Sequence, residues 1–137
     1  MNAPPEVLEI LRQWVRKAEH DLEAVRRIMA VDEGCPYDTA CFHCQQAIEK
    51  YLKALLTLSG VSALRTHDLE KLLALLPPDK ELSIPVASLV AINPYAVDVR
   101  YSDDWREPRR SDAYQALEVA QRVRTEVRRL LPAGALI

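Results

Sequence analysis

Apolar residues recur along this chain at helical rather than strand spacing. From residue 6 to about residue 31, Val7, Leu11, Trp14, Ala18, Leu22, Val25 and Met29 follow one another at steps of three and four, which draws one stripe along an amphipathic helix. Pro4-Pro5 opens that segment and Gly34-Cys35-Pro36 stops it, as helix-start prolines and helix-stop glycines do. Arg12, Arg16, Lys17, Glu19, Glu23 and Arg26 fall mostly off the stripe. A second segment, residues 38–59, carries Cys41, Cys44, Ile48, Leu52 and Leu55 on its stripe, widened by Ala40, Ala47, Tyr51 and Leu58. Asp38 is placed to cap its N-terminus and Gly60 to close it in a left-handed turn.

A shorter third helix is expected to start at Thr66, whose hydroxyl can cap free amides while Asp68 and Glu70 suit the positive end of the helix dipole. It should bury Leu69, Leu72, Leu73 and Leu76 and end before Pro77-Pro78. Pro85 can open a fourth helix with Val86, Leu89, Val90 and Ile92 on its apolar side, and Pro94 should kink or end it. Tyr95, Val97, Val99 and Tyr101 then alternate like a strand, but no other segment offers a strand to pair with, which favours a resumed helix or a linker. A last helix, from about residue 111 to residue 131, carries Ala113, Leu117, Ala120, Val123, Val127 and Leu130 on one side. The expected fold is all-α, an up-and-down antiparallel bundle of four to five helices, forming one domain over residues 1–137 with a core from about residue 6 to residue 131.

Composition adds little to this and removes several alternatives. Only three glycines leave little room for a turn-rich β fold, and a net charge of −2 gives no overall basic field to hold nucleic acid. Three cysteines make no disulfide framework, the N-terminus has no apolar leader, and no apolar run approaches the roughly 18 to 20 residues that span a bilayer. A cytoplasmic protein without membrane contact is expected.

Three polar groupings could carry chemistry. Cys41 and Cys44 are spaced C-x-x-C around His43, but they lie inside the helix on its apolar stripe and lack a second ligand pair, so they read as packing residues and no metal is expected. His43, Gln46, Lys50 and Lys53 recur on another side of the same helix, flanked by Gln45 and Glu49. That side is either a wet face, with Glu49 and Lys53 as an i, i+4 pair, or a recognition surface for something polar. Thr66-His67-Asp68 puts an imidazole at a helix start, either as part of a cap or as an anion contact. Arg100-Tyr101-Ser102-Asp103 joins a guanidinium, a phenol and a carboxylate, for bidentate phosphate binding or for an internal ion pair.

Taken in order, the run from Ala40 to Leu55, Thr66-His67-Asp68-Leu69, Arg100-Tyr101-Ser102-Asp103, and an opening helix with Trp14, Ala18, Asp21 and Leu22 resemble the HEPN family, the helical domains named for nucleotide binding in higher eukaryotes and prokaryotes. The resemblance implies a helical bundle that forms a homodimer and acts beside a minimal nucleotidyltransferase, in pairs of the toxin-antitoxin or defence kind. It implies a nucleotide or RNA as ligand and no cofactor. Mapped onto this chain, the binding residues would be His43, Gln46, Lys50, His67 and Arg100, supported by Glu49, Asp68, Tyr101 and Asp103. Many members are metal-independent ribonucleases that use an arginine followed after four to six residues by a histidine. Here only His20, His43 and His67 exist, and none follows an arginine at that interval. The sequence therefore favours binding over catalysis, with no catalytic residue assigned; the alternative is a ribonuclease toxin whose catalytic groups, His43, His67 and Arg100, are displaced.

Overall fold

The computed structural model describes residues 3–62, 65–96 and 106–137. Five α-helices and no strand occur among them: α1 (Pro5–Ile28), α2 (Tyr37–Leu58), α3 (Leu69–Ala74), α4 (Val86–Ile92) and α5 (Arg110–Leu130). Short 3-10 turns follow at Pro78–Lys80, Asn93–Tyr95 and Ala133–Ala135. The Arg100-Tyr101-Ser102-Asp103 group lies outside the described residues, as does most of the alternating stretch that begins at Tyr95.

Helix α2 is the axis of the molecule, with α1 and α5 packed on it along most of their length and α3 covering a further side. Its apolar stripe is fully buried at Cys41, Cys44, Ile48, Leu52 and Leu55, and burial extends around the helix to Ala40, Ala47, Tyr51, Ala54 and Leu56. Helix α1 runs antiparallel to α5, with Glu19 bound to Arg124 and Arg12 donating to the Gly134 carbonyl just past the end of α5. Helices α3 and α4 form a short hairpin that Asn93 ties together: its Oδ1 accepts from the Leu69 amide at 2.9 Å and its Nδ2 donates to Asp68 at 3.0 Å.

The ends of the helices differ from the sequence expectation for local reasons. Helix α1 stops at Ile28 rather than near Val31, and the Cys35 thiol reaches back to the Ile28 and Val31 carbonyls. Helix α2 begins at Tyr37, because the Pro36 carbonyl already accepts the Ala40 amide; Asp38 sits inside the first turn and accepts from Thr39. Its C-terminus closes as expected: Gly60 has φ +76°, and the Val61 amide reaches the Leu56 carbonyl at 2.9 Å, the 6→1 bond that a left-handed residue permits. Asp68, not Thr66, caps α3, accepting from the Glu70 and Lys71 amides, while Thr66 accepts from the Asp68 amide one step earlier. Pro94 ends α4 by turning it into a 3-10 turn.

The buried side of α1 is also turned from the expected stripe. Leu11, Val15, Ala18, Asp21 and Val25 are buried, whereas Val7, Trp14, Leu22 and Met29 pack at its edge. A carboxylate on the buried side of a helix requires partners, and α2 supplies them.

Candidate functional site

Asp21 is 7% exposed, and both its oxygens are engaged by α2. Oδ1 lies 2.8 Å from His43 Nδ1, and Oδ2 accepts from Lys50 Nζ at 2.5 Å. His43 and Lys50 are seven residues apart, two helical turns, so one carboxylate on a facing helix can meet both. Their side chains remain partly open to solvent.

A second buried carboxylate sits beside this one. Glu49 Oε2 accepts from Lys53 at 2.9 Å, the pair expected at i, i+4, and Glu49 Oε1 lies 3.0 Å from His67 Nδ1. Gln45, one turn earlier, donates to the His67 carbonyl at 3.1 Å. The loop before α3 is thus held to α2 through both the side chain and the backbone of His67, while the imidazole itself stays exposed. Gln45, Glu49 and Lys53 are all buried, which a solvated helix face would not produce. Lys53 also lies 5.9 Å from the Trp14 ring, within reach of a cation–π contact.

The residues singled out in the sequence fall into two adjoining groups. His43 and Lys50 meet on Asp21; His67 and Glu49 meet in a separate contact; Gln46 donates to Gln45 Oε1 at 2.7 Å and so adjoins the second group. Asp68 is turned to the α3 amides and Asn93. Arg100, Tyr101 and Asp103 fall outside the described residues. Asp21 is the functional candidate that periodicity alone passed over, although it had a signal: it stands three residues after Ala18 and four before Val25, both of them on the stripe.

A third cluster ties the three long helices. Arg124 Nε and Nη2 grip Glu19 at 2.9 Å, the fully buried Tyr51 donates to the same carboxylate at 2.6 Å, and Arg128 reaches the Tyr51 hydroxyl at 3.3 Å. Burial and the Glu19 hydrogen bond push the Tyr51 hydroxyl up to about 12, so it stays protonated and remains a donor. Glu19 and Arg124 line a cleft between α1 and α5 with Glu23 and Arg26, and those two charges are also paired with each other. The cleft offers a ligand no unmatched charge.

Cys41 and Cys44 are free and fully buried, and burial pushes both thiols up to about 12. Thiol–disulfide chemistry and metal binding need a thiolate, so this C-x-x-C serves the core. Among the described residues no group of three or more His, Cys, Asp or Glu is arranged to hold a metal, and no helix is long and apolar enough to cross a membrane.

Known proteins place this arrangement in a family. The HEPN domain model matches residues 11–130, from the first buried leucine of α1 to the last residue of α5. The crystal structure of TT1696 from Thermus thermophilus is similar at 29% identity and a TM-score of 0.74, covering 88% of this chain and 98% of that one. ST0689, an archaeal HEPN homologue, is similar at 28% identity and a TM-score of 0.67, covering 88% of this chain and 96% of its own. No curated protein matches. With the family model spanning all five helices, this chain belongs to the HEPN domain family.

Proposed function

We propose that this protein is a binding subunit for a nucleotide or a nucleic-acid phosphate, and that it works as a homodimer beside a separate minimal nucleotidyltransferase, in a pair of the toxin-antitoxin or defence kind. The observation that carries this reading is the meeting of His43 and Lys50 on buried Asp21, which fixes two polar head groups at a partly open surface. Fixing them in advance lowers the ordering cost of a ligand contact. In this reading Gln46 and His67 extend the wall and Arg100 is the anion clamp, with a guanidinium's bidentate geometry for phosphate. Equilibrium titration of the purified protein with mononucleotides, and co-purification with a nucleotidyltransferase encoded beside it, test the proposal. Binding should be lost in Lys50→Ala and in Arg100→Ala; binding unchanged in both variants would refute the site.

A second reading, a ribonuclease with displaced groups, draws on the same geometry, since an imidazole held through Nδ1 by a carboxylate is poised to exchange protons at Nε2. It predicts growth arrest on expression, relieved by changing His43, His67 and Arg100 together to Ala. Growth unaffected by the unaltered protein would sink it.

A further inference from the structure

The two carboxylate–imidazole contacts are built alike, although different elements supply the parts. In one, α1 gives the carboxylate (Asp21) and α2 gives the imidazole (His43) and the lysine (Lys50). In the other, α2 gives the carboxylate (Glu49) and the lysine (Lys53), and the loop before α3 gives the imidazole (His67). Each carboxylate gives one oxygen to a lysine and the other to Nδ1 of a histidine, Gln45 Nε2 also lying 3.4 Å from Glu49 Oε1, and both carboxylates are buried, so neither is free to turn.

We propose that Asp21 and Glu49 are positioning residues that hold His43 and His67 as Nδ1–H tautomers, each presenting an unprotonated Nε2 as a hydrogen-bond acceptor. A carboxylate paired with a lysine can only accept, so the nitrogen facing it must carry the ring's proton. A neutral imidazole has one such proton, which leaves Nε2 a lone pair. The lysine beside each carboxylate offsets its negative charge, so neither imidazole faces an unbalanced anion. A ligand group that meets either Nε2 must be a hydroxyl or N–H donor, so a phosphate bound at this wall is met by Lys50 and not by the imidazoles.

Ring nitrogen–proton correlation spectra of the intact protein at about pH 9, above the ordinary imidazole value of about 6.5, test this without any ligand. His43 and His67 should both show the Nδ1–H pattern, with exposed His20 as the internal comparison. In Asp21→Asn the new amide should turn its oxygen to Lys50 and its NH₂ to His43, reversing that ring to Nε2–H; Glu49→Gln should do the same to His67 through Lys53. An Nε2–H pattern for either ring in the unaltered protein overturns the proposal, whether or not the variants fold, and so does an unchanged pattern in folded variants.

A second arm, which rests on the proposed binding role, measures adenosine 5′-monophosphate affinity. Asp21→Asn removes a negative charge, so a purely electrostatic anion site would bind more tightly, whereas a positioned acceptor should weaken by roughly tenfold, the worth of one hydrogen bond. Tighter binding in the variant overturns the proposal. If the unaltered protein binds no nucleotide, the binding role fails while the spectra still decide the positioning.

Discussion

Arg124 closes a two-pronged hydrogen bond on Glu19, 105 residues away in the chain, with both of its contacting nitrogens 2.9 Å from a carboxylate oxygen. The pair joins α1 to α5 across the flank of α2, and Tyr51 brings α2 into the same bond. A fork of this kind is more specific than a lysine contact, because a guanidinium and a carboxylate match in plane and spacing.

Glu19 should make stability fall in acid. Burial opposes its ionisation, but hydrogen bonds from Arg124 and Tyr51 and the charges of Arg124 and Arg128 together hold its carboxyl below the ordinary 4.5. The folded protein therefore takes up this proton less readily than the unfolded chain. The stabilisation is complete above the unfolded value and is lost as pH falls through the lower folded one. Glu19→Gln should cost about 1–2 kcal/mol at pH 7, a charge-assisted bond discounted for partial exposure, and the gap from the unaltered protein should narrow below about pH 4. Urea unfolding across that range checks both; a gap that is constant with pH would exclude the carboxylate as its source.

Asn93 should control whether α3 stays docked. Helix α3 has six residues, too few to persist on its own propensity, and Asn93 supplies both an acceptor for its first amide and a donor to its capping Asp68. Asn93→Ala removes both bonds and should destabilise the protein by about 1–2 kcal/mol. Amide hydrogen exchange should rise first in Leu72 and Leu73, with α2 and α5 little changed. Uniform acceleration throughout the chain would mean that α3 and α4 do not open separately.

What the sequence disclosed depended on whether a feature is local. The α2 stripe from Cys41 to Leu55 and the Gly60 cap are set by neighbours within a few residues, and both are present as read. The polar side of α2 could not be read this way. Gln45, Glu49 and Lys53 have the spacing of a solvated face, yet they are buried because α1 and the segment before α3 close over them, a property of the assembled bundle. Asp21 enters the sequence reading only through the family resemblance, for the same reason: an acid on a stripe reads as an interruption until the facing helix is known to carry His43 and Lys50. The helix starts moved by one or two residues where a backbone carbonyl, as at Pro36, or a different side chain, as at Asp68, reached the free amides first.

The cysteines allow a test of how closed the core around α2 is. Cys41 and Cys44 have no exposed surface, and burial raises both thiols to about 12, so at pH 8 fewer than about one in a thousand of either would be thiolate even if a reagent could reach it. Cys35 is only half-buried, in the turn after α1. In the native protein a disulfide reagent should therefore titrate one thiol quickly, and all three only after denaturation. The slow pair should react at the rate of opening of the bundle, and Leu52→Ala, which removes buried side chain from α2 at a cost of about 2–5 kcal/mol, should speed it without changing the fast one. Prompt reaction of a second thiol in the unaltered protein would show that Cys41 or Cys44 is reached without unfolding, and the C-x-x-C would have to be considered again as a chemical site.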